Sequence, residues 1–394
     1  MDFELSERHR QMQAEMGTFC REAIAPGAAG LDEASPEEAA ARMKANIKAL
    51  AGAGYLAWLL GDDLIGRCVA GEELARACPA TFLSILSSAT AFGRTVKRFG
   101  TEAQRERYLP PLAAGGIVGA FACTEAEAGS DLGGMAATAE KRDGGWVLSG
   151  EKDLVTNAPI ADAFAVLAWT DRDAGLERGT SLFLIDRSAG GLAVGERAET
   201  MGLRGAPTAA VRLSHCTVGG EALIGGTAGA GYGQLSVVLE EIKLAIATLG
   251  IGIGVACMEA STRHGKTRKA FGKPIGLFEG VGAKLAIMFT LNDLGRMMTL
   301  RAAWAMERQE PESAVLIACA KLFTSEAAGR IADLAMQVHG GHGYLKGAAV
   351  ERLYRDARFA AVAYGTSEMQ RAFIARDSLD RFQDGRGAPL DPPV

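Results

Sequence analysis

FACTEAEAGSDLGG, residues Phe121 to Gly134, marks the point where the texture of the chain changes. Before it Ala, Glu, Arg and Leu dominate, and apolar residues recur at helical spacing, as in Glu37 to Ala53 and Gly71 to Ala77. Thr101 stands as an N-cap ahead of a helix over Glu102 to Tyr108, and Pro110 with Pro111 closes that helix. After it come short β-rich runs, Trp146 to Leu148, Phe164 to Trp169, Ser181 to Ile185 and Val211 to Leu213, separated by Gly and Asp turns. Long helical patterns return from about 232 to 381, with Gly340 to Gly347 as their one conspicuous break. Helices, then strands, then helices predict an α+β chain. Its expected parts are a helical domain over 1–115, a small antiparallel β-domain over 116–228, a helical domain over 229–381 and a disordered tail over 382–394.

At 394 residues the chain exceeds one ordinary compact domain, which agrees with that division. Its net charge of -5, with no Lys/Arg run, argues against nucleic acid or an anionic membrane as the main partner. The apolar stretch Leu244 to Val255 is too short and too Gly-rich to span a bilayer, and MDFELSERHRQ lacks a signal-peptide core, so a cytoplasmic location is expected. Seven cysteines, scattered and never in CxxC spacing, predict small buried hydrophobes rather than disulfides or a metal site. Leu249-Gly250-Ile251-Gly252-Ile253-Gly254 is not a dinucleotide fingerprint, because no strand precedes it and neither Gly-x-Gly start ends in Gly or Ala; these glycines predict close helix packing.

Phe121 to Gly134 sets hydroxyls, small residues and acids where strands begin, which suits a ligand that must touch backbone, although a polar connection would read the same way. Three further segments follow it in order: GEKDLVTN at Gly150 to Asn157, TRKAFGKPI at Thr267 to Ile275, and QVHGGHGYLKGAAVERLYRDAR at Gln337 to Arg358. Together with GEELARA at Gly71 to Ala77 and GTSEMQR at Gly365 to Arg371, these resemble the acyl-CoA dehydrogenase family over nearly the whole chain. The resemblance implies an N-terminal helical domain, a middle β-barrel-like domain and a C-terminal four-helix bundle, assembled as a homotetramer or homodimer, with FAD as cofactor.

Carried over by position, the resemblance places Thr124 at the pyrimidine side of the flavin within Phe121, Cys123 and Leu154, Ser130 with Gly129 at the pyrophosphate, and Thr156 near flavin N5. Arg268 and Phe271 would reach the diphosphate and adenine from a neighbouring subunit, with Gln337, Gly340 and Gly341 completing that cradle and Thr366 and Glu368 adding to the site. A guanidinium matches a diphosphate in charge and shape, and glycines let backbone amides approach phosphate. His339 and His342 lack an acidic or thiol partner at metal-binding spacing and predict packing or solvent roles.

The catalytic base is where the chain departs from the family. Members often place a Glu directly before Gly-Thr-Ser, where this chain has Tyr364; others place it on the first long helix of the bundle, where this chain has Ile242. A phenol with a pKa near 10 is almost wholly protonated at neutral pH. Glu241 is a candidate displaced base, although a helix turns by about 100 degrees per residue and moves it off the Ile242 direction. Glu240 and Lys243 match positions that hold the pantetheine arm, and also suit an i, i+3 surface ion pair. Leu154 replaces a frequent Trp, Glu279 a Gln and Gly347 an acid, and Leu59 to Ala70 is short.

The expected activity is therefore removal of a hydride from an acyl thioester on CoA or acyl carrier protein, with electrons passed to an electron-transfer flavoprotein or to O2. Oxidation of a C–H bond activated by oxygen or nitrogen is the enzymatic alternative. A non-catalytic flavin or acyl-thioester binding protein is the alternative from another class.

Overall fold

A computed structural model describes residues 4–381, so the expected tail over 382–394 lies outside the described residues. The N-terminal region is built on helices α1 (Glu7–Phe19), α2 (Pro36–Gly52), α3 (Leu64–Ala77), α4 (Pro79–Ile85), α5 (Arg94–Phe99) and α6 (Glu102–Ala113). Ser35 and Thr101 each close a capping box, with Glu38 and Gln104 reaching back to the cap backbone. The α6 helix does not stop at Pro110 and Pro111 as expected but runs on to Ala113. Both proline carbonyls still accept, from Ala114 N and Gly116 N, so the missing N–H groups cost the last turn little. Between α4 and α5, Leu86–Gly93 widens into a π-helix, a departure often met at functional sites.

Seven strands form the middle region: β1 (Gly119–Ala122), β2 (Thr138–Arg142), β3 (Gly145–Thr156), β4 (Ala163–Trp169), β5 (Thr180–Asp186), β6 (Leu192–Arg197) and β7 (Thr208–Gly219). The β3–β7 pair is the long antiparallel spine, extended by β2 and β6. Two pairings depart from the antiparallel expectation, β1 with β4 and, at Thr138 opposite Trp169, β2 with β4. The β1 strand leaves the helical region and lies parallel to β4, Gly119 opposite Ala163, because a crossover containing β2 and β3 separates them.

Helices α7 (Gly231–Thr267), α8 (Glu279–Glu307), α9 (Ser313–His339), α10 (Ala349–Val362) and α11 (Ser367–Arg381) complete the fold. The four-helix expectation is met with its last helix cut in two at Ala363 to Thr366, where Tyr364 and Gly365 take left-handed backbone with φ of 52° and 88°. Helix α7 is long and apolar enough to cross a membrane by composition, yet 72% of that window is buried inside the fold, as in a core helix. Its glycines permit this. A Cβ at Gly252 would lie 2.5 Å from Ala75 Cβ and 2.9 Å from the Glu72 carbonyl, so α3 touches α7 backbone to backbone.

Gly252→Ala should therefore lower stability by about 1–3 kcal/mol despite the better helix propensity of Ala, because α3 must move. Thermal unfolding checks this. An unchanged melting temperature would mean the helices are not in this register.

Candidate functional site

The segment around Phe121 to Gly134 is pinned from below by a buried ion pair. Lys152 Nζ on β3 donates to Glu125 Oε1 at 2.7 Å and to the Cys123 carbonyl at 3.1 Å, while Glu125 also accepts from the backbone of Ala136 and Ala137. Burial pulls the Lys152 ammonium below the ordinary lysine range, and its hydrogen bonds hold Glu125 below the ordinary carboxylate range despite the desolvation. Thr124 sits half-buried above this pair, with Gly129 and Ser130 exposed at the tip and open space beside Gly129.

A register shift between Lys152 and Val155 re-aims the end of β3. Leu154, at φ 52°, turns outward and is 59% exposed, whereas Thr156 turns inward and is buried. Asn157 next to it is fully buried in left-handed backbone, which Asn tolerates. Its amide donates to the Ser84 and Gly119 carbonyls and accepts from Ser84 Oγ, tying the N-terminal helices to the sheet. Ser87 adds a bond to the Thr156 carbonyl at 3.1 Å.

Tyr364 meets this corner from the other side. Burial drives the pKa of its phenol above the usual value, with the Thr156 side chain acting weakly the other way, so it is a neutral hydroxyl at working pH. Lys321, buried in α9, donates from Nζ to the Gly365 carbonyl at 2.5 Å and fixes the turn. Its burial, with Lys243 nearby, pushes its pKa down to about 8. Thr366 accepts from Met369 N at the start of α11, and Glu368 projects into solvent beside it. On α7, Lys243 and Glu240 form their i, i+3 ion pair at 2.7 Å, but Glu240 Oε2 is buried with no hydrogen-bond partner.

Glu241 is not a displaced base. Its carboxylate is sealed between α7 and the N-terminal helices, receiving Arg67 Nη1 at 2.7 Å, Arg94 Nε at 2.8 Å and Nη2 at 3.1 Å, and Arg98 Nε at 2.5 Å. Burial opposes ionisation, yet Arg67, Arg94 and Arg98 together hold its pKa down to about 2. A base needs a free lone pair and a pKa near the working pH, and this group has neither.

The remaining expected residues gather elsewhere. Arg268 and Phe271 sit on a small hairpin, Lys269–Ala270 with Lys273–Pro274, that projects from the end of α7; Phe271 is 94% exposed. His264 and His339 stack with ring centroids 4.5 Å apart, which joins that end of α7 to Gln337, Gly340 and Gly341 at the end of α9. His339 thus packs as expected, its Nδ1 donating to the Ala335 carbonyl at 2.9 Å. Gly340, at φ 58°, and Gly341 have open space where a Cβ would point, as a phosphate cradle requires. Glu240 and Arg268 lie at opposite ends of α7, about 40 Å apart at 1.5 Å per residue, so the two clusters cannot hold the same part of one ligand. Sequence reasoning missed the Lys152–Glu125 pin, Asn157 and Lys321. Only Asn157 left a local sign, an Asn directly after a β-run.

The profile of the acyl-CoA dehydrogenase N-terminal domain matches residues 6–116, that of the middle domain 120–216, and that of the C-terminal domain 229–379. This chain belongs to the acyl-CoA dehydrogenase family, whose cofactor is FAD. Among its relatives, probable acyl-CoA dehydrogenase YngJ of Bacillus subtilis is 35% identical over 381 residues, covering 96% of this chain and all of YngJ. The FAD complex of PigA superposes with a TM-score of 0.88 at 27% identity, over 97% of this chain and all of PigA. The prolyl acyl carrier protein oxidase AnaB superposes with a TM-score of 0.86 at 27% identity, over 95% of this chain and all of AnaB. The open glycines, the outward Leu154 and the Thr124, Ser130 and Thr156 hydroxyls fit a flavin.

Since Glu241 is ionised in the folded protein down to about pH 2 and titrates near 4.3 when unfolded, its contribution is present above about pH 4 and is lost as pH falls toward 2. Glu241→Gln should cost about 3–5 kcal/mol at pH 7, leaving three guanidinium groups without their anion, and should flatten the acid limb of the stability curve. Urea unfolding between pH 3 and 7 measures both. An acid limb as steep as in the unsubstituted protein would contradict the clamp.

Proposed function

We propose that the chain is an FAD-dependent oxidoreductase that takes a hydride from an acyl thioester carried on CoA or an acyl carrier protein, with Tyr364 in place of the family's catalytic carboxylate. One observation carries the reading: Tyr364 stands directly before the Gly365 turn that Lys321 fixes, at the position where the family sets its carboxylate, and Lys243 of the Glu240–Lys243 pair acts on that same Lys321. When bound, FAD supplies the electron acceptor for the hydride. The chain's own residues supply the rest. Thr124 and Thr156 offer hydroxyls to the ring, Glu240 and Lys243 orient the thioester arm, and Lys321 holds the Tyr364 turn.

For α,β-dehydrogenation a proton must leave Cα as the hydride leaves Cβ, and a neutral phenol is a poor acceptor for it. A second reading follows from that neutrality. Where nitrogen or oxygen bears the electron pair, the adjacent carbon loses the hydride and the heteroatom's proton passes to solvent, so no carbon base is needed. The likeness to AnaB, a prolyl acyl carrier protein oxidase, favours this version and a carrier-protein thioester. Electrons would leave through an electron-transfer flavoprotein or O2.

The separation of the two ligand clusters along α7 supports a homotetramer or homodimer in which Arg268 and Phe271 serve the FAD of a neighbouring chain. The purified protein should be yellow with about one FAD per chain, and Arg268→Ala should release FAD on dilution. Flavin absorbance after gel filtration checks this, and full retention by Arg268→Ala would remove that role. Tyr364→Glu should raise the rate of anaerobic flavin bleaching by a saturated acyl-CoA by about 10²- to 10⁴-fold, the usual contribution of a positioned base. Tyr364→Phe should leave the slow rate nearly unchanged if Tyr364 only shapes the pocket. Rapid bleaching by the unsubstituted protein, at tens per second, would defeat the claim of a missing base.

A further inference from the structure

The end of the molecule that carries Arg268 and the Gly340 turn is basic without a matching acid. From 260 to 278 and from 334 to 350 the chain holds Arg263, Lys266, Arg268, Lys269, Lys273 and Lys346 but no Asp or Glu, in a protein whose net charge is -5. Three of its five histidines stand here as well, His264, His339 and His342. They are not a metal site: no group of three or more His, Cys, Asp or Glu that could hold a metal ion occurs among the described residues. A basic end of this kind is complementary to an anion.

Two of the imidazoles are already in contact. His264 lies in the last turn of α7 and His339 in the last turn of α9, and their rings stack with centroids 4.5 Å apart and planes 21° apart. His339 Nδ1 donates to the Ala335 carbonyl, which leaves Nε2 as the atom open to a proton. Both helices present negative dipole ends here, and these favour a proton on either ring. What keeps His264 neutral is its partial burial and then its neighbours. The groups that act on its ring are His339, Arg268 and His342, every one of them basic, and with burial they hold its pKa below the usual imidazole value. Arg268 is tied to this spot, its backbone N–H donating to the His264 carbonyl at 2.8 Å one turn back. A dianion placed among these groups reverses the balance: mutual repulsion gives way to shared attraction, and the protonated imidazole is favoured.

We propose that the stacked His264–His339 pair is a proton-coupled contact to the diphosphate of FAD, taking up a proton from solvent as the diphosphate settles against Arg268 and the open Gly340 and Gly341. This rests on the reading of that cluster as the diphosphate end of an FAD site. The diphosphate is a dianion throughout the neutral range, so the coupling lies in the imidazoles. Because the bound state carries more protons than the free one, FAD is held more tightly as pH falls from 8 to 6. The dependence levels off below the pKa of the free pair, where both states are protonated.

The test uses the full-length, FAD-loaded protein diluted into buffers from pH 6 to 8.5 at constant ionic strength, with released FAD read by its fluorescence. The dissociation constant should fall about three- to tenfold for each pH unit across the middle of that range, tenfold being full uptake of one proton. Asp356 and Lys321, moved to about 7 and about 8, titrate in the same range. The comparison is therefore with His264→Phe, which keeps a stacked ring and removes its proton. That variant should hold FAD at pH 8 about as the unsubstituted protein does and lose most of the pH dependence. Should it fail to fold, His264→Gln is read in its place. A dissociation constant that does not change with pH, or a pH dependence that survives the substitution, overturns the inference and leaves the FAD reading intact. A protein that binds no FAD at any pH overturns both.

Discussion

A carboxylate buried beneath three guanidinium groups holds the two helical regions together. Glu241 is inside the protein and receives hydrogen bonds from residues 174, 147 and 143 positions away, so it fastens α7 to α3 through Arg67 and to α5 through Arg94 and Arg98. Taking such an ion out of water costs several kcal/mol unless it is fully paired, and a half-formed cluster is worse than none. Its formation therefore fixes how α7 is rotated. With Glu241 directed at the arginines, Ile242 packs into the core, and Glu240 with Lys243 is left on the side of the Tyr364 turn.

The cofactor side depends on a second buried pair of the same kind. Lys152 and Glu125 sit under the Phe121 to Gly134 segment, so the hydroxyls offered to a flavin stand on a rigid floor rather than on a loose loop. Asn157 and Ser87 then lock the sheet to the π-helix. The Phe121 to Gly134 segment, the end of β3 and the rotation of α7 are thus set by buried polar contacts. Apolar packing fills the space between them.

Much of this was legible in the sequence, and the exceptions share a cause. The helix–strand–helix order, the N-cap at Thr101, the close packing at Gly252 and the family motifs are all local patterns, readable from a few neighbouring residues. Glu241 misled because its partners lie more than a hundred positions away, and an acid beside a vacated base position looks like its replacement. The parallel β1–β4 pair, the left-handed Leu154 and the buried Lys321 also follow from tertiary contacts. The prolines of α6 failed as stop signals because their carbonyls still found donors in the following turn.

The claim on which the rest turns is that no side chain in the reactive pocket removes a carbon-bound proton. Proton NMR of a saturated, straight-chain acyl-CoA incubated in D2O with the FAD-loaded protein measures this directly, because a positioned base washes the α-protons out even when no hydride is transferred. The α-proton signal should decay no faster than in the protein-free control. Washout in proportion to protein concentration, unaltered by Glu241→Gln, would contradict it.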